Sequence, residues 1–375
     1  MKRFLKWFVI LFTLLIVSLY IFGYDYLITA VRVTYLNGHT TAFLDDYTEF
    51  ENRTVQSGTH QPWPEHVNYN KAKQVKELEA LHEEYGTVGF LIVKNDSIWF
   101  EQYYEDYHKT SRSNSFSMAK SMISAMLGKA IMEGHIKSLD QPVGDFFPEF
   151  SKGKAAKMTV GDLSSMASGM NWDERYYSPF SVTTEAYFSE DLRALMKTIE
   201  ITEEPGQSYE YLSGNTQLLG MVIEKATGKK LSNYLSEKFW KPLGMNDDAI
   251  WQLDREDGME KAYCCVASNV RNFAKFGKLY KDSGNWKGNQ ILDSSFVQLS
   301  VQSKYPDGEN YGYGFWLSDY LDKDIFYMRG HLGQYTVVIP EDNLIFVRLG
   351  HRAHIDNIEP YIDGIYQMLE NDTKN

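Results

Sequence analysis

The amino-acid sequence predicts an α/β fold of the α+β type, in which helices cover an antiparallel sheet built from both ends of the chain. Stretches with strand-like composition lie near residues 88–104 and again between residues 311 and 349. Between them, roughly residues 135–305 alternate short helical patterns with Pro and Gly, which favours a mostly helical inserted region. Strands from distant parts of a chain can share one sheet, so we expect the two groups to pair.

Residues 1–25 have the pattern of a membrane anchor. Three basic residues precede an uncharged apolar run at 7–24, which is long enough to cross a bilayer. Basic residues favour the cytoplasmic side, so we expect the rest of the chain to be extracytoplasmic, in the periplasm or at the cell surface. A cleaved signal peptide is the alternative, although the run ends in Tyr20, Phe22 and Tyr24 and lacks the small residues that a peptidase needs.

Residues 26–73 are predicted to be a juxtamembrane segment and linker, and residues 74–375 a single domain. The stretch from 51 to 73 is polar, contains Pro62 and Pro64, and shows no sustained helical or strand period. Helical spacing begins only near residue 75, which is why the domain is expected to start there.

The domain is expected to open with a helix near residue 75 and then a β-hairpin. Apolar stretches at 88–93 and 98–104 are separated by four polar residues that favour a turn. Later elements are expected as strands at 311–317, 325–329, 335–339 and 344–349 and a closing helix at 355–369.

A central helix is expected at residues 117–132. Apolar side chains cover most of its circumference, and such a helix has to be buried on nearly every side. Ser117 stands at its beginning.

Charge and composition argue against several functions. The formal net charge is −12 and the basic residues are scattered, so the sequence predicts no nucleic-acid partner. Cys264 and Cys265 are neighbours, and we expect buried apolar residues there and no disulfide. His351 and His354 lack an evident third ligand and are interpreted as surface residues, so no metal site is predicted.

The pattern Ser-x-x-Lys occurs twice, from Ser117 to Lys120 and from Ser151 to Lys154. Chance supplies about two such pairs in a chain of this composition, so context has to decide between them. Ser151 lies in a polar loop, whereas Ser117 opens the buried helix and has Lys120 one turn further on the same face. Burial lowers a lysine pKa, which lets the amine accept the proton of the serine. The alternative is a capping serine followed by a lysine that reaches solvent.

Ser117-Met-Ala-Lys120 resembles the first motif of serine β-lactamases, penicillin-binding DD-peptidases and their esterase and amidase relatives. The segments at 134–149 and 159–170 are similar to those that follow this motif in the class C-like branch.

Two later segments resemble the other motifs of that family. Tyr211-Leu-Ser213 resembles the second motif, with Ser213 where class C β-lactamases carry Asn. This variant and the segment 172–176 are similar to the 6-aminohexanoate-dimer hydrolases. His331-Leu-Gly333 resembles the third motif in a form familiar from esterase-type members.

The resemblance implies a β-lactamase/transpeptidase-like fold and an acyl-enzyme mechanism. Ser117 would be the acylated nucleophile, with Lys120 and Tyr211 as its proton-transfer partners. The residues implied for substrate binding or oxyanion stabilisation are Ser213, Tyr176, His331, Gly333 and Gln334, the last through its backbone N–H.

The implied substrate is a small-molecule amide or ester, and the chemistry requires no metal or organic cofactor. A β-lactamase or cell-wall DD-peptidase is an alternative that the extracytoplasmic location favours, whereas Ser213 and His331 disfavour it. A non-catalytic surface protein that retains the fold is another. Nothing in the sequence indicates the oligomeric state.

Overall fold

A computed structural model describes residues 1–305, 310–353 and 357–373. The strands are β1 Asn52–Val55, β2 Thr87–Lys94, β3 Ser97–Tyr103, β4 Ser113–Asn114, β5 Ala249–Gln252, β6 Val266–Ser268, β7 Asn285–Trp286, β8 Asn289–Gln290, β9 Trp316–Ser318, β10 Ile325–Gly330, β11 Gln334–Ile339 and β12 Leu344–Gly350. The helices are α1 Lys2–Ile21, α2 Tyr26–Val33, α3 Lys76–Glu84, α4 Met118–Met132, α5 Val160–Ser164, α6 Val182–Phe188, α7 Leu192–Met196, α8 Ser213–Thr227, α9 Leu231–Leu235, α10 Val270–Lys281, α11 Ser294–Ser300 and α12 Glu359–Thr373.

The main sheet is antiparallel and has the order β3-β2-β12-β11-β10-β9. The pairing of β2 with β12 joins the two ends of the domain, since Phe90 lies opposite Arg348 and Lys94 opposite Leu344. The prediction that one antiparallel sheet is built from both ends of the chain is therefore confirmed.

The strand β2 is buried on both faces, which explains its nearly continuous apolar sequence. Leu91 and Val93 belong to the core beneath α4 and α10, whereas Phe90 and Ile92 belong to the core beneath α3 and α12. The turn to β3 places Asn95 and Asp96 at φ of 48° and 60°, a conformation that these residues tolerate better than most.

The helix α4 is buried over most of its length, as the sequence predicts, and packs between the main sheet and α8. The middle of the chain is less purely helical than expected. It contributes β5, β6, β7 and β8 in addition to short helices, and strands of two to four residues are too short to show a period in the sequence.

The prediction of a linker at residues 26–73 has to be corrected, because much of this segment packs on the domain. The strand β1 pairs with β5 in a second sheet of order β1-β5-β6-β4. Leu44, Val55 and Trp63 are buried in the same core as α4. Asp46 is fully buried and accepts hydrogen bonds from Asn114, Gln252 and Tyr187. Polar residues with distant partners produce no local period, which is why the sequence suggested a linker.

Two expected elements differ in extent. The strand expected at 311–317 is limited to β9. Gly314 lies before it at φ 84°, where an added Cβ would lie 2.6 Å from the Ser124 side chain of α4. The closing helix begins at Glu359, and residues 355 and 356 of the expected helix lie outside the described residues.

The helix α1 is long and apolar enough to cross a membrane, a property that signal sequences share. It buries no residue against the part of the chain that the structure describes.

Candidate active site

The candidate nucleophile lies where β4 leads into α4. The Asn114 side chain accepts a hydrogen bond of 2.9 Å from the backbone N–H of Phe116, which adopts a positive φ of 45°. That conformation is uncommon for a bulky residue and marks a backbone held by its surroundings. Ser117 follows as the N-cap residue of α4, so the N-terminal dipole of the helix favours negative charge beside it.

Lys120 lies one turn beyond Ser117, and its ammonium donates a hydrogen bond of 2.9 Å to the Ser117 hydroxyl. The side chain is buried and also donates to the Ser213 hydroxyl at 3.1 Å and to the Tyr263 carbonyl at 3.0 Å. Burial lowers the pKa of Lys120 to about 8, against an opposing effect of the Glu174 carboxylate. In weakly basic solution the amine is therefore partly neutral and can accept a proton from Ser117.

Tyr211 faces the same pair. Its ring lies 5.0 Å from the Lys120 nitrogen. The ring packs against Tyr311 and Trp316, with centroids 5.9 Å and 5.1 Å away. Burial raises the pKa of Tyr211, and the nearby Ser117 hydroxyl opposes the rise. A phenol with a raised pKa keeps its proton near neutrality, which suits a proton donor.

Ser213 connects Lys120 to a carboxylate that the sequence analysis did not assign. The Ser213 hydroxyl donates 2.6 Å to one oxygen of Glu174, and the Ser213 backbone N–H donates 2.7 Å to the other. Tyr176 also donates to Glu174, at 2.6 Å. The hydroxyl of Ser213 is thus occupied by protein groups, whereas the family resemblance suggested a contact with substrate. Glu174 could have been noticed in the sequence because it lies two residues before Tyr176, within the segment 172–176 that carries the family resemblance.

The turn that carries His331 and Gly333 joins β10 to β11. Arg348, a buried residue of β12, donates hydrogen bonds of 2.9 Å to the carbonyls of Leu332 and Gly333. Gly333 has a φ of 77°, and a Cβ there would lie 2.7 Å from the Arg348 guanidinium. Gly330 lies close to the segment that precedes α4, because a Cβ on it would lie 2.2 Å from the Ser115 carbonyl oxygen. Glycine at these positions lets the turn lie beside the start of α4.

Gln334 begins β11, and its side chain is fully buried. Its amide donates 2.7 Å to the Gly350 carbonyl and accepts 3.0 Å from the Gly350 N–H. The side chain therefore stabilises the sheet, and only the backbone N–H remains as the group proposed for the oxyanion.

Ser117, Ser213 and His331 line a cavity of about 190 Å³. Tyr176 lines it and stacks on His331, with centroids 5.6 Å apart. Tyr263 also lines it, and within the described residues its buried hydroxyl has no hydrogen-bond partner. No pattern in the sequence pointed to Tyr263.

The interpretation of the two cysteines requires a correction. Cys264 and Cys265 are buried, as expected, but they are joined to each other in a disulfide. Cys265 adopts a φ of 78°, and Cys264 lines the cavity. The backbone conformation that brings neighbouring sulfur atoms together is set by packing and is not visible in the sequence.

The second Ser-x-x-Lys pair does not form a site. Ser151 is exposed and donates to the Gly144 carbonyl at 3.1 Å, while Lys154 donates to the Thr202 carbonyl. His351 contacts Glu105 at 3.2 Å, and His354 lies outside the described residues.

The antiparallel sheet and the buried helix that carries Ser117 and Lys120 define a β-lactamase-like fold of the α+β class. The chain belongs to the beta-lactamase family, which its residues 75–361 match. The fold and the family resemblance inferred from the sequence are both confirmed.

Two curated relatives match part of the chain. The chain is 25% identical over 242 residues to the 6-aminohexanoate-dimer hydrolase of Paenarthrobacter ureafaciens, covering 60% of each protein. It is 27% identical over 175 residues to protein flp of Staphylococcus aureus strain COL, covering 44% of this chain and 34% of flp. The matches thus span less than two thirds of either relative.

A solved structure shows the same fold over most of its length. A Bacillus anthracis chain assigned as a 6-aminohexanoate-dimer hydrolase superposes with a TM-score of 0.71 at 20% identity, covering 86% of this chain and 91% of that one.

Proposed function

We propose that the chain is a serine hydrolase that cleaves amide or ester bonds through an acyl-enzyme on Ser117. The observation that carries the proposal is the buried Lys120 amine, with its pKa lowered to about 8, at 2.9 Å from the Ser117 hydroxyl. An unassisted serine is a weak nucleophile near neutrality, and this arrangement provides the adjacent base that it needs.

In the acylation step, neutral Lys120 takes the hydroxyl proton while Ser117 Oγ forms a bond to the substrate carbonyl carbon. The carbonyl oxygen becomes negative and is stabilised by the backbone N–H groups of Ser117 and Gln334. The bond to the leaving group then breaks, and Tyr211 donates a proton to the departing alcohol or amine. The Tyr211 phenol recovers a proton from Lys120.

In the deacylation step, water attacks the acyl ester on Ser117 and loses a proton to Lys120. Lys120 and Tyr211 return a proton to the Ser117 oxygen as the carboxylic acid leaves. No metal or organic cofactor takes part. Glu174 and Ser213 act through Lys120. The Glu174 carboxylate accepts a hydrogen bond from the Ser213 hydroxyl, which in turn accepts one from the Lys120 ammonium. His331 and Tyr176 line the same cavity and would contact the substrate there.

The proposed substrate class is a linear amide or ester, in keeping with the similarity to a 6-aminohexanoate-dimer hydrolase. A β-lactamase or DD-peptidase is the second candidate, which membership in the beta-lactamase family favours. A non-catalytic surface protein is less well supported, because the Ser117, Lys120 and Tyr211 side chains converge.

For the location, we propose that residues 1–25 remain as an anchor and that the hydrolase domain lies outside the cytoplasm. The support is the length of α1 and its basic N-terminal flank.

Covalent labelling of the purified protein with a fluorophosphonate tests the proposal. Ser117→Ala should abolish labelling and ester hydrolysis, whereas Ser151→Ala, the matched control in the second Ser-x-x-Lys pair, should retain both. Labelling that persists in the Ser117 variant would refute the nucleophile assignment, and the absence of labelling in the unmodified protein would favour a non-catalytic role.

A further inference from the structure

The cavity at Ser117 is completed by the segment that directly follows α1. One side of the cavity is lined by residues of α2 and of the chain just after it, namely Ala30, Thr34, Tyr35, Thr40, Thr41 and Ala42. The substrate-facing surface therefore includes residues whose sequence pattern had suggested a linker.

This wall is fixed to the domain and to the rim of the cavity. Val33 is fully buried, in a small cluster with Tyr26 and Phe188. The Tyr26 hydroxyl donates 3.0 Å to the carbonyl of Pro179, a residue that lines the cavity. The start of α2 and residues 177–180, which we call the rim loop, thus form one packed unit.

The same unit lies close to the end of α1. Ile21 and Tyr26 are five positions apart along the chain, so their Cα atoms lie at most about 18 Å apart. Tyr24, within this connection, packs its ring against Phe180 of the rim loop with centroids 5.7 Å apart. If α1 spans a bilayer, the rim of the cavity is held at the bilayer surface.

Exposed aromatic side chains surround this junction. They are Phe22, Tyr24, Tyr35, Tyr177 and Phe180, with Tyr177 75% and Phe180 66% exposed. Aromatic rings favour the headgroup region of a bilayer, so this patch suits contact with lipid better than contact with water.

The lining of the cavity is neutral and largely apolar. Within the described residues, no Asp, Glu, Lys or Arg side chain lines it, whereas Phe116, Tyr187, Phe188 and several Thr and Ala residues do. Its volume of about 190 Å³ is below the roughly 300–1,000 Å³ of pockets that hold drug-sized ligands. A slim neutral chain fits such a space better than a charged or bicyclic group.

We propose that the site takes an ester or amide whose acyl part is an unbranched hydrocarbon chain, supplied from the outer surface of the membrane that holds α1. The chain lies along the wall formed by α2, and the carbonyl lies at Ser117. Ser117 Oγ forms the acyl ester, the alcohol or amine leaves with a proton, and water releases the carboxylic acid. This inference rests on the proposed function and on retention of the anchor.

The test uses the full-length protein reconstituted in phosphatidylcholine vesicles, with p-nitrophenyl acetate and p-nitrophenyl octanoate as probes. We expect kcat/KM for octanoate to exceed that for acetate by at least tenfold. Ala30→Trp, which places a bulky side chain in the cavity beside α2, should reduce this ratio by about tenfold or more. Val31→Trp, on the same helix but outside the lining, is the matched control and should leave the ratio unchanged. Because Ala30 is partly buried, Thr40→Trp at an exposed lining position repeats the test with little risk to folding.

A second arm tests the source of the chain. Octanoate ester embedded in the same vesicles as the protein should be hydrolysed faster than ester embedded in separate vesicles. Equal rates would overturn delivery from the membrane, and a ratio that neither wall variant changes would overturn the acyl site. In both cases, hydrolysis of acetate that is lost in Ser117→Ala would leave the proposed function standing. Hydrolysis of neither ester, or hydrolysis that survives Ser117→Ala, would reject the proposed function itself.

Discussion

Glu174 accepts two hydrogen bonds from Ser213, 2.7 Å from the backbone N–H and 2.6 Å from the hydroxyl. Since the Ser213 oxygen also accepts from Lys120 at 3.1 Å, a carboxylate is connected to the candidate base through one serine. The charge of Glu174 raises the pKa of Lys120 and so partly offsets the effect of burial.

Glu174→Gln should therefore lower the pKa of Lys120 further below about 8. The neutral amine would then persist to lower pH, so the acidic limb of the kcat/KM profile should move to lower pH. The measurement is kcat/KM for an ester between pH 6 and pH 10. Glu149→Gln, an exposed carboxylate elsewhere, is the control. If the acidic limb of the kcat/KM profile did not move in the Glu174 variant, the ionisation of Lys120 would not be what sets that limb.

Cephalosporin turnover should be slower than ester hydrolysis by at least about tenfold, a difference of roughly 1.4 kcal/mol in transition-state stabilisation. The hydroxyl of Ser213 is occupied by Lys120 and Glu174, and it is too short to act as the longer Asn of class C enzymes does. The measurement compares kcat/KM for a chromogenic cephalosporin and an ester on one preparation. Ser213→Asn should narrow the difference. Fast cephalosporin hydrolysis by the unmodified protein would put the β-lactamase alternative first.

Removal of residues 1–24 should give a soluble, folded and active protein, whereas removal of residues 1–50 should not. The longer deletion takes away Asp46 and so leaves its partners Asn114, Gln252 and Tyr187 without their acceptor. Loss of these buried hydrogen bonds should lower the free energy of unfolding by about 3 kcal/mol or more. Thermal unfolding of the two truncations checks this, and Asp46→Ala in the shorter truncation isolates the contribution of the carboxylate. Equal melting temperatures would show that the segment is dispensable.

Arg348→Met should impair catalysis although Arg348 does not line the cavity. The buried guanidinium fixes the carbonyls of Leu332 and Gly333, and its loss would free the turn that presents His331 and the backbone N–H of Gln334. We expect kcat to fall by about tenfold or more with a smaller change in KM, as for a loss confined to the transition state. Arg352→Met, at an exposed neighbouring position, is the control. A variant that raises KM alone would indicate a role in substrate binding instead.

Local patterns accounted for the elements that frame the site. The turn at Asn95 and Asp96, the alternating faces of β2 and the apolar circumference of α4 all depend on residues that are neighbours along the chain. The spacing of three between Ser117 and Lys120 likewise placed both on one helical face, where the structure has them.

The tertiary structure alone decided which distant residues meet that pair. Lys120 and Ser213 are 93 positions apart, and Ser213 and Glu174 are 39 apart, so no local period relates them. The same is true of Asp46, whose partner Gln252 lies 206 positions away and whose polar surroundings suggested a linker. Such contacts depend on the path that the whole chain takes around its core. The sequence by itself thus determined the contact between Ser117 and Lys120, the sheet and the family, while long-range packing determined the carboxylate behind Lys120, the joined cysteines and the wall that the segment after α1 adds to the cavity.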